Sequence, residues 1–580
     1  MIRGRGAHRF AESPVLQLAL PAWRSRLVGL CLLAAFGALV GRAFYLQIVN
    51  NDFLQEKGES RYRRDLEISA SRGKVTDRNG DALAISTPMK SIWAIPSDAR
   101  LNGEQSQLLA KALDLEPKEL TRKLASDKGF VYLQRQVAPD VAERIAAMKL
   151  PGVYQNDEYR RYYPTGEMTA HIVGFTGIDD KGLEGVELAF EKSLVGHAGS
   201  RSVIRDRRGR IVEDVGSIRP PQDGRDLRLA LDSKIQYLAY SHLKQAVAGH
   251  KAKAGGAVVV DAKSGEILAL ANWPTYNPNN RQHLSGAQLR NRAVTDTFEP
   301  GSTLKPFTAA LALESNKFRF DSVIDTDPGR LTIGSATISD AHRHGRLTVA
   351  QVIQKSSNVG TAKIAANFAP REMWEMFDAI GFGQVPRLGF PGEVTGRLRA
   401  WKTWRPIEQA TMSYGHGISV SLMQLARAYT VFARDGELLP LSLTRVDDGP
   451  VTGVPVFSPQ TAREVRAMLE MAAGPGGTAP KAQVPGYRVA GKTGTAHKIE
   501  GGAYADKYVS SFVGFAPASD PRIIVAVMID EPSAGRHYGG DVAAPVFAAI
   551  TGGVLRTLGI PPDARLTVAD APQAPVRGRL

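Results

Sequence analysis

Cysteine is almost absent from this 580-residue chain. Cys31 is the only one, which excludes an internal disulfide framework and any cysteine-based metal cluster. Acidic residues are the minority charge: 58 Asp and Glu face 73 Lys and Arg, giving a formal net charge of +15. That excess permits an anionic partner such as a membrane, a cell wall or nucleic acid, and does not choose among them. Long apolar runs are also scarce. After residue 50 no segment is long and apolar enough to span a bilayer, so a multi-pass membrane protein is excluded. Internal repeats are missing, which excludes solenoids and propellers. The length calls for two or three domains rather than one core.

One long apolar run is present, near the start. Residues 27–49 carry a single charge, Arg42. As a helix they would rise about 34 Å, enough to cross the hydrocarbon core. Arg42 lies near one end, where its stem can snorkel to the headgroups. A buried core helix and a cleaved signal peptide are the competing readings, and a core helix would rarely be so free of polar residues. The apolar character continues past Arg42, which favours an uncleaved anchor. Arg3, Arg5, Arg9, Arg24 and Arg26 precede the run against one acid, Glu12, so the N-terminus is expected in the cytoplasm and the rest outside it.

The expected organisation is a basic tail at 1–26, the membrane helix at 27–49, a polar stalk at 50–70, a first mixed region at 71–220, a larger domain at 225–560 and a loose tail at 561–580. Turn residues between Gly216 and Gly224 mark a linker. Asp232 caps a helix running to about Val247. Ala257–Asp261 and Glu266–Leu270 flank a turn as a β-hairpin. Further strands are expected at Gly486–Gly491, Tyr508–Ala516 and Ile523–Ile529. Helices are expected at Gln105–Leu113, Leu304–Glu314, Val349–Asn367 and Leu422–Ala433. Strands at both ends of a helical middle imply an α+β fold, an antiparallel sheet sandwiched by helices.

Chemistry concentrates in three places. In Glu299-Pro-Gly-Ser-Thr-Leu-Lys-Pro306, Ser302 opens a helix and Lys305 follows three residues later on the same face. A serine hydroxyl is a poor nucleophile until a base takes its proton. A neutral lysine can be that base if burial or nearby charge lowers its pKa by about 3 units. Ser-x-x-Lys alone is a weak signal, and the chain repeats it at Ser71-Arg-Gly-Lys74, where no convincing helix begins. The second place is Ser356-Ser-Asn358 in a helical stretch. Ser356 can relay a proton between Lys305 and a leaving amine, and Asn358 can hold the lysine and a substrate backbone. The third is Lys492-Thr-Gly-Thr495, read as an exposed strand edge. There Lys492, Thr493 and Thr495 can hold a carboxylate, Gly494 can let a ligand lie against the backbone, and the Thr495 N–H can join that of Ser302 as an oxyanion hole.

Ser-x-x-Lys, Ser-x-Asn and Lys-Thr-Gly, in that order and 54 and 136 residues apart, resemble the penicillin-binding protein and serine β-lactamase superfamily. Arg72-Gly-Lys-Val-Thr-Asp-Arg-Asn-Gly80, Arg161-Tyr-Tyr-Pro-Thr-Gly-Glu167 and Gly182-Leu-Glu-Gly-Val-Glu187 resemble the N-terminal pedestal of class B penicillin-binding proteins. Tyr508-Val-Ser-Ser-Phe-Val-Gly-Phe-Ala-Pro517 and Gly539-Gly-Asp-Val-Ala-Ala-Pro545 resemble their transpeptidase domain. Within that class the chain looks most like the septal, FtsI-type peptidoglycan D,D-transpeptidases.

The resemblance implies that Ser302 attacks the penultimate D-Ala carbonyl of a stem peptide, with Lys305 as base. Ser356 and Asn358 would complete the relay, and Lys492, Thr493 and Thr495 would bind the terminal carboxylate. It implies no metal or organic cofactor. The implied partners are peptidoglycan stem peptides and lipid-linked precursors, β-lactams, the membrane, a polytopic septal glycosyltransferase and other division proteins. An elongation-type transpeptidase, a β-lactamase-like hydrolase and a non-enzymatic division scaffold stay open as alternatives. The paired His342 and His344 read as solvated loop residues rather than metal ligands, since no acidic or cysteine cluster joins them beyond Asp340. The basic run from Arg201 to Arg210 reads as a strand with a charged face, not a nucleic-acid surface. His416 and His497 are given no catalytic role, and Glu184 and Glu187 are read as structural.

Overall fold

The computed structural model describes residues 21–49, 63–205, 211–446 and 451–564. The basic tail before residue 21, residues 50–62 of the expected stalk and the tail beyond 564 lie outside them.

The described residues fall into two compact units. The first holds helix α1 (Ala22–Phe44) and a three-stranded antiparallel sheet of Arg63–Ile68, Gly199–Arg205 and Ile211–Arg219. With the π-helical turn that follows it, α1 forms a span from Ala22 to Ile48 with mean hydropathy 2.1, none of it buried. By length and composition it can cross a membrane. The expected stalk is thus a strand where it is described, and Gly216 to Arg219 of the expected linker finish another strand.

The second unit contains residues 69–197 and those from 222 onward. In its first part β1 (Ala82–Ala94) pairs antiparallel with β2 (Val131–Val137) and β3 (Val153–Tyr162). Behind this sheet Glu187, fully buried, joins two arginines. Arg72 Nε donates to it at 2.6 Å and Arg161 Nε at 2.7 Å. Arg72 belongs to the second Ser-x-x-Lys copy, which is therefore structural. No helix starts there, and the Lys74 N–H is held by Asp226 at 2.7 Å.

The second part is the expected sandwich. α2 (Ser233–Gly249) is capped by Asp232, which accepts from the Lys234 and Ile235 N–H groups. β4 (Ala254–Asp261) and β5 (Ile267–Trp273) form the hairpin. α3 (Lys305–Glu314), α4 (Val349–Lys355), α5 (Asn358–Ala365) and α6 (Pro459–Ala473) lie in the helical middle. β6 (Ala490–Glu500), β7 (Ala503–Ala516), β8 (Ile523–Asp530) and α7 (Ala544–Thr557) complete the domain. The sheet order is β5-β4-β8-β7-β6, all antiparallel, with β6 at an edge.

Alternation along the strands splits the core. Ala257, Val259, Val525, Val527 and Phe512 face α2 and α7. Val258, Val260, Ala526, Val513 and Phe515 face the side of α3 and α6. β4 is buried on both faces, which explains its unbroken small and β-branched sequence. Each fully buried valine there stabilises the fold by about 1.5–3 kcal/mol.

Three expected elements differ. The helix expected from Leu422 to Ala433 is interrupted at Tyr429, giving Leu422–Ala428 and Thr430–Ala433. The helix expected from Val349 to Asn367 is two helices, because Ser356 adopts a left-handed conformation, φ 59° and ψ 42°. The strand expected at Gly486–Gly491 begins only at Ala490 and runs on through the Lys-Thr-Gly-Thr segment.

Candidate active site

Ser302 sits in a 3₁₀ turn, Gly301–Leu304, that runs directly into α3. The turn is pinned from several sides. The Gly301 N–H donates to the Gly415 carbonyl at 3.1 Å, and the buried Tyr429 hydroxyl donates to the Thr303 carbonyl at 2.7 Å. Glu299 accepts from the Gly417 N–H at 2.7 Å and from the Tyr504 hydroxyl at 3.1 Å. Gly301, at φ +55°, brings its backbone against Thr495 of β6: a Cβ there would lie 3.2 Å from the Thr495 carbonyl.

Gly494 has a different task from the one expected of it. A Cβ at this position would lie 2.3 Å from Ser511 Oγ, 2.7 Å from the Pro300 carbonyl and 2.9 Å from Thr303 Cγ2. Its missing side chain lets the nucleophile's turn seat against the strand, rather than leaving space for a ligand.

Lys305 is wholly buried. Its Nζ donates to Ser356 Oγ at 3.0 Å and to the Ser356 carbonyl. Lys492 is equally buried, not set on an exposed edge, and its Nζ reaches the same Ser356 Oγ at 3.0 Å and Thr493 Oγ1 at 3.2 Å. The left-handed turn at Ser356 places one hydroxyl between two lysines that are 187 residues apart in the sequence (492 − 305).

Two ammonium groups flanking one hydroxyl in a desolvated pocket cannot both hold their protons at ordinary pKa values. Burial, and then the Lys492 charge, push Lys305 well below the usual lysine range, while Asp340 opposes the shift. Burial pushes Lys492 down to about 7. When one of the pair is neutral, it can accept the hydroxyl proton of Ser356, and a Lys–Ser–Lys chain becomes a proton relay.

Asn358 does not hold Lys305. Its amide donates to the Ser339 carbonyl at 3.0 Å. The neighbouring loop supplies Asp340, which accepts from Ser357 Oγ at 2.6 Å and the Val359 N–H at 2.9 Å, fixing the start of α5 behind Ser356. Nothing local in the sequence marks Asp340 for this task. Its partners are 17 and 19 residues away.

Ser302, Ser356, Asn358, Thr493 and Thr495 line one cleft of about 760 Å³. Its far wall comes from Gly476–Thr478 and from Tyr538–Asp541, a segment that needs glycine: a Cβ on Gly539 would lie 2.4 Å from the Gly494 carbonyl. His342 and His344 are loop residues on the cleft wall, closer to the site than their sequence context suggested. His416 and His497 are not among the lining residues. Burial, with Lys305 and His497 nearby, pushes His416 down to about 4, so it is neutral at pH 7.

A buried lysine pair around a serine, set beside a second serine at a helix start and open to a cleft, is acyl-transfer machinery. The penicillin binding protein transpeptidase domain model matches residues 255–552, and the penicillin-binding protein dimerisation domain model matches 67–229. The chain belongs to the penicillin-binding protein transpeptidase family.

Relatives in this family include the probable peptidoglycan D,D-transpeptidase PenA of Neisseria gonorrhoeae, 47% identical over 92% of both chains. The peptidoglycan D,D-transpeptidase FtsI of Escherichia coli K12 is 45% identical over 95% of this chain and 94% of its own. The transpeptidase domain of Burkholderia pseudomallei penicillin-binding protein 3 is 53% identical, with a TM-score of 0.54 over 58% of this chain and 98% of that one. A peptidoglycan synthetase from Bifidobacterium adolescentis, 26% identical, superposes with a TM-score of 0.70 over 87% of this chain and 98% of its own. That last likeness extends over both the first region and the catalytic sandwich.

Proposed function

We propose that this chain is a membrane-anchored peptidoglycan D,D-transpeptidase that works through an acyl-enzyme on Ser302. The observation that carries the reading is the buried Lys305–Ser356–Lys492 cluster, whose Ser356 lines the same cleft as Ser302.

Neutral Lys305 takes the Ser302 proton as Oγ attacks the penultimate D-Ala carbonyl. The oxyanion that forms meets the N–H groups of Ser302 and Thr495. Collapse breaks the peptide bond, and the terminal D-Ala amine leaves with a proton delivered through Ser356. An acceptor amine then attacks the ester, passes its proton back along the same chain, and frees Ser302 with a new amide cross-link. Lys492, Thr493 and Thr495 hold the donor's terminal carboxylate, and Asn358 contacts its backbone. β-Lactams acylate Ser302 as substrate mimics.

We further infer that residues 71–220 act as a pedestal and 225–560 as the catalytic domain. The N-terminus would lie in the cytoplasm and the catalytic domain outside, at the division site of the inner membrane. The names of the FtsI and PenA relatives support a septal role. The partners would be stem peptides and lipid-linked precursors, a polytopic septal glycosyltransferase and other division proteins.

The test is single-turnover chemistry with a pentapeptide donor and an amine acceptor. Cross-linked product with one D-alanine released per bond is expected from wild type, and none from Ser302→Ala. Rapid hydrolysis of penicillin in place of a long-lived adduct would instead mark a β-lactamase. Fluorescent fusions placed along the lateral wall, not at mid-cell, would overturn the septal assignment.

A further inference from the structure

A second cleft, of about 520 Å³, lies away from the catalytic residues and shares none of their side chains. Arg290, Arg292, Lys253 and Lys498 line it. Their charges are met by three carboxylates. Asp296 takes Arg290 and Arg292 Nη1, the latter at 2.9 Å. Asp530 takes Lys498 at 2.8 Å, and Glu531 takes Lys498 at 2.7 Å and Lys253 at 2.9 Å. Four cations against three acids leave one positive charge in excess.

One donor in the cleft is also unmet. Arg292 is 7% exposed, and among the described residues its Nε has no hydrogen-bond partner although Nη1 and Nη2 are both used. A buried donor without an acceptor costs about 1–3 kcal/mol, and here it keeps an incompletely compensated guanidinium charge in the cleft wall. The arginine is held in place by its backbone neighbours. Asn272 accepts from the Ala293 N–H at 2.9 Å and donates to Asn291 Oδ1 at 2.8 Å, both contacts buried. The site is therefore preorganised rather than a chance meeting of flexible surface lysines.

We propose that this cleft is a second binding site, for a ligand bearing an oxyanion, carboxylate or phosphate. Arg292, the most enclosed of the four cations, sets its guanidinium charge in the wall, and the half-exposed Arg290 and Lys253 supply the hydrogen bonds to the ligand. The cleft shares two chain segments with the catalytic machinery. Arg292 precedes Ser302 by ten residues on the segment entering the nucleophile's turn, and Lys498 follows Thr495 by three on β6.

The experiment is calorimetric titration of the full chain in detergent, after penicillin treatment to occupy the main cleft, with inorganic phosphate and with succinate as separate probes. Saturable binding of at least one probe, with Kd below about 1 mM, is expected. Which probe binds distinguishes a phosphate from a carboxylate source. Lys253→Gln with Arg290→Gln, both on exposed side chains, should weaken it about tenfold, and Arg292→Gln, which removes the enclosed charge, should do the same. Circular dichroism melting checks that each variant is folded. No saturable binding of either probe, or binding unchanged in the folded double variant, would overturn the proposal. None of these residues contacts Ser302's cleft, so the outcome is independent of whether Ser302 is the nucleophile.

Discussion

At the scale of the residue, the site depends on one hydroxyl shared by two lysines. Ser356→Ala removes the acceptor of both and breaks the relay to the leaving group. The acylation rate by penicillin should fall by about 10²–10⁴-fold, measured by stopped-flow with a fluorescent β-lactam. The pH profile follows from the lowered lysines. The base must be neutral to work, and both groups of the pair are held below 10.5, Lys492 at about 7. Acylation should therefore rise with pH and level off well below the ordinary lysine range. A rise continuing to the ordinary lysine range would show that neither lysine is perturbed. The same shift has a stability sign. The unfolded lysines bind protons that the folded ones do not, so the pair costs stability at low pH and that cost fades as pH climbs toward 10.5.

The sequence displayed the residue types of the site and their order. It did not display the contacts. Lys492 meets Ser356 across 136 residues. Gly494 is small because of Pro300 and Thr303, which no local pattern links to it.

At the scale of the element, the helices and the central hairpin were legible because their signals are local. Asp232 caps α2, apolar spacing marks α3, and the β4 run has the composition of a strand buried on both faces. The break at Ser356 was not legible. No glycine or proline stands at the break, since the one glycine of 349–367, Gly360, lies inside α5, and serine in a left-handed conformation is held there by tertiary contacts: the Lys305 ammonium on its carbonyl, and Asp340 with the Ser357 hydroxyl on the first turn of α5. The start of β6 was misplaced for a related reason. Its register is set by pairing with β7, not by its own alternation. The packing of β6 against the Ser302 turn gives an element-scale prediction. Gly494→Ala must displace Pro300 or Ser511. It should destabilise the domain by about 1–3 kcal/mol in denaturant unfolding and slow acylation as well, because the displaced turn carries Ser302.

At the scale of the whole molecule, residues 69–197 and the catalytic sandwich belong to one compact unit. They are joined by polar contacts such as Asn79 to Asp232 at 3.1 Å and Gln236 to the Met168 carbonyl at 2.7 Å. Glu187 with Arg72 and Arg161 anchors the first part. Replacing Glu187 with Gln leaves buried Arg161 without its countercharge and Arg72 with only the partly exposed Glu191, which should cost about 3–5 kcal/mol in thermal or denaturant unfolding. Since Glu187 is remote from the cleft, the Ser302 adduct should still form below the lowered melting temperature.

The central claim is that Ser302 is the nucleophile. Mass spectrometry of the full chain after treatment with penicillin, followed by peptide mapping, tests it most directly. The expected result is one penicilloyl group on the peptide containing Ser302, absent from Ser302→Ala and retained in a variant changed at Ser71, the other Ser-x-x-Lys serine. An adduct on any other residue, or one that survives Ser302→Ala, would contradict the account.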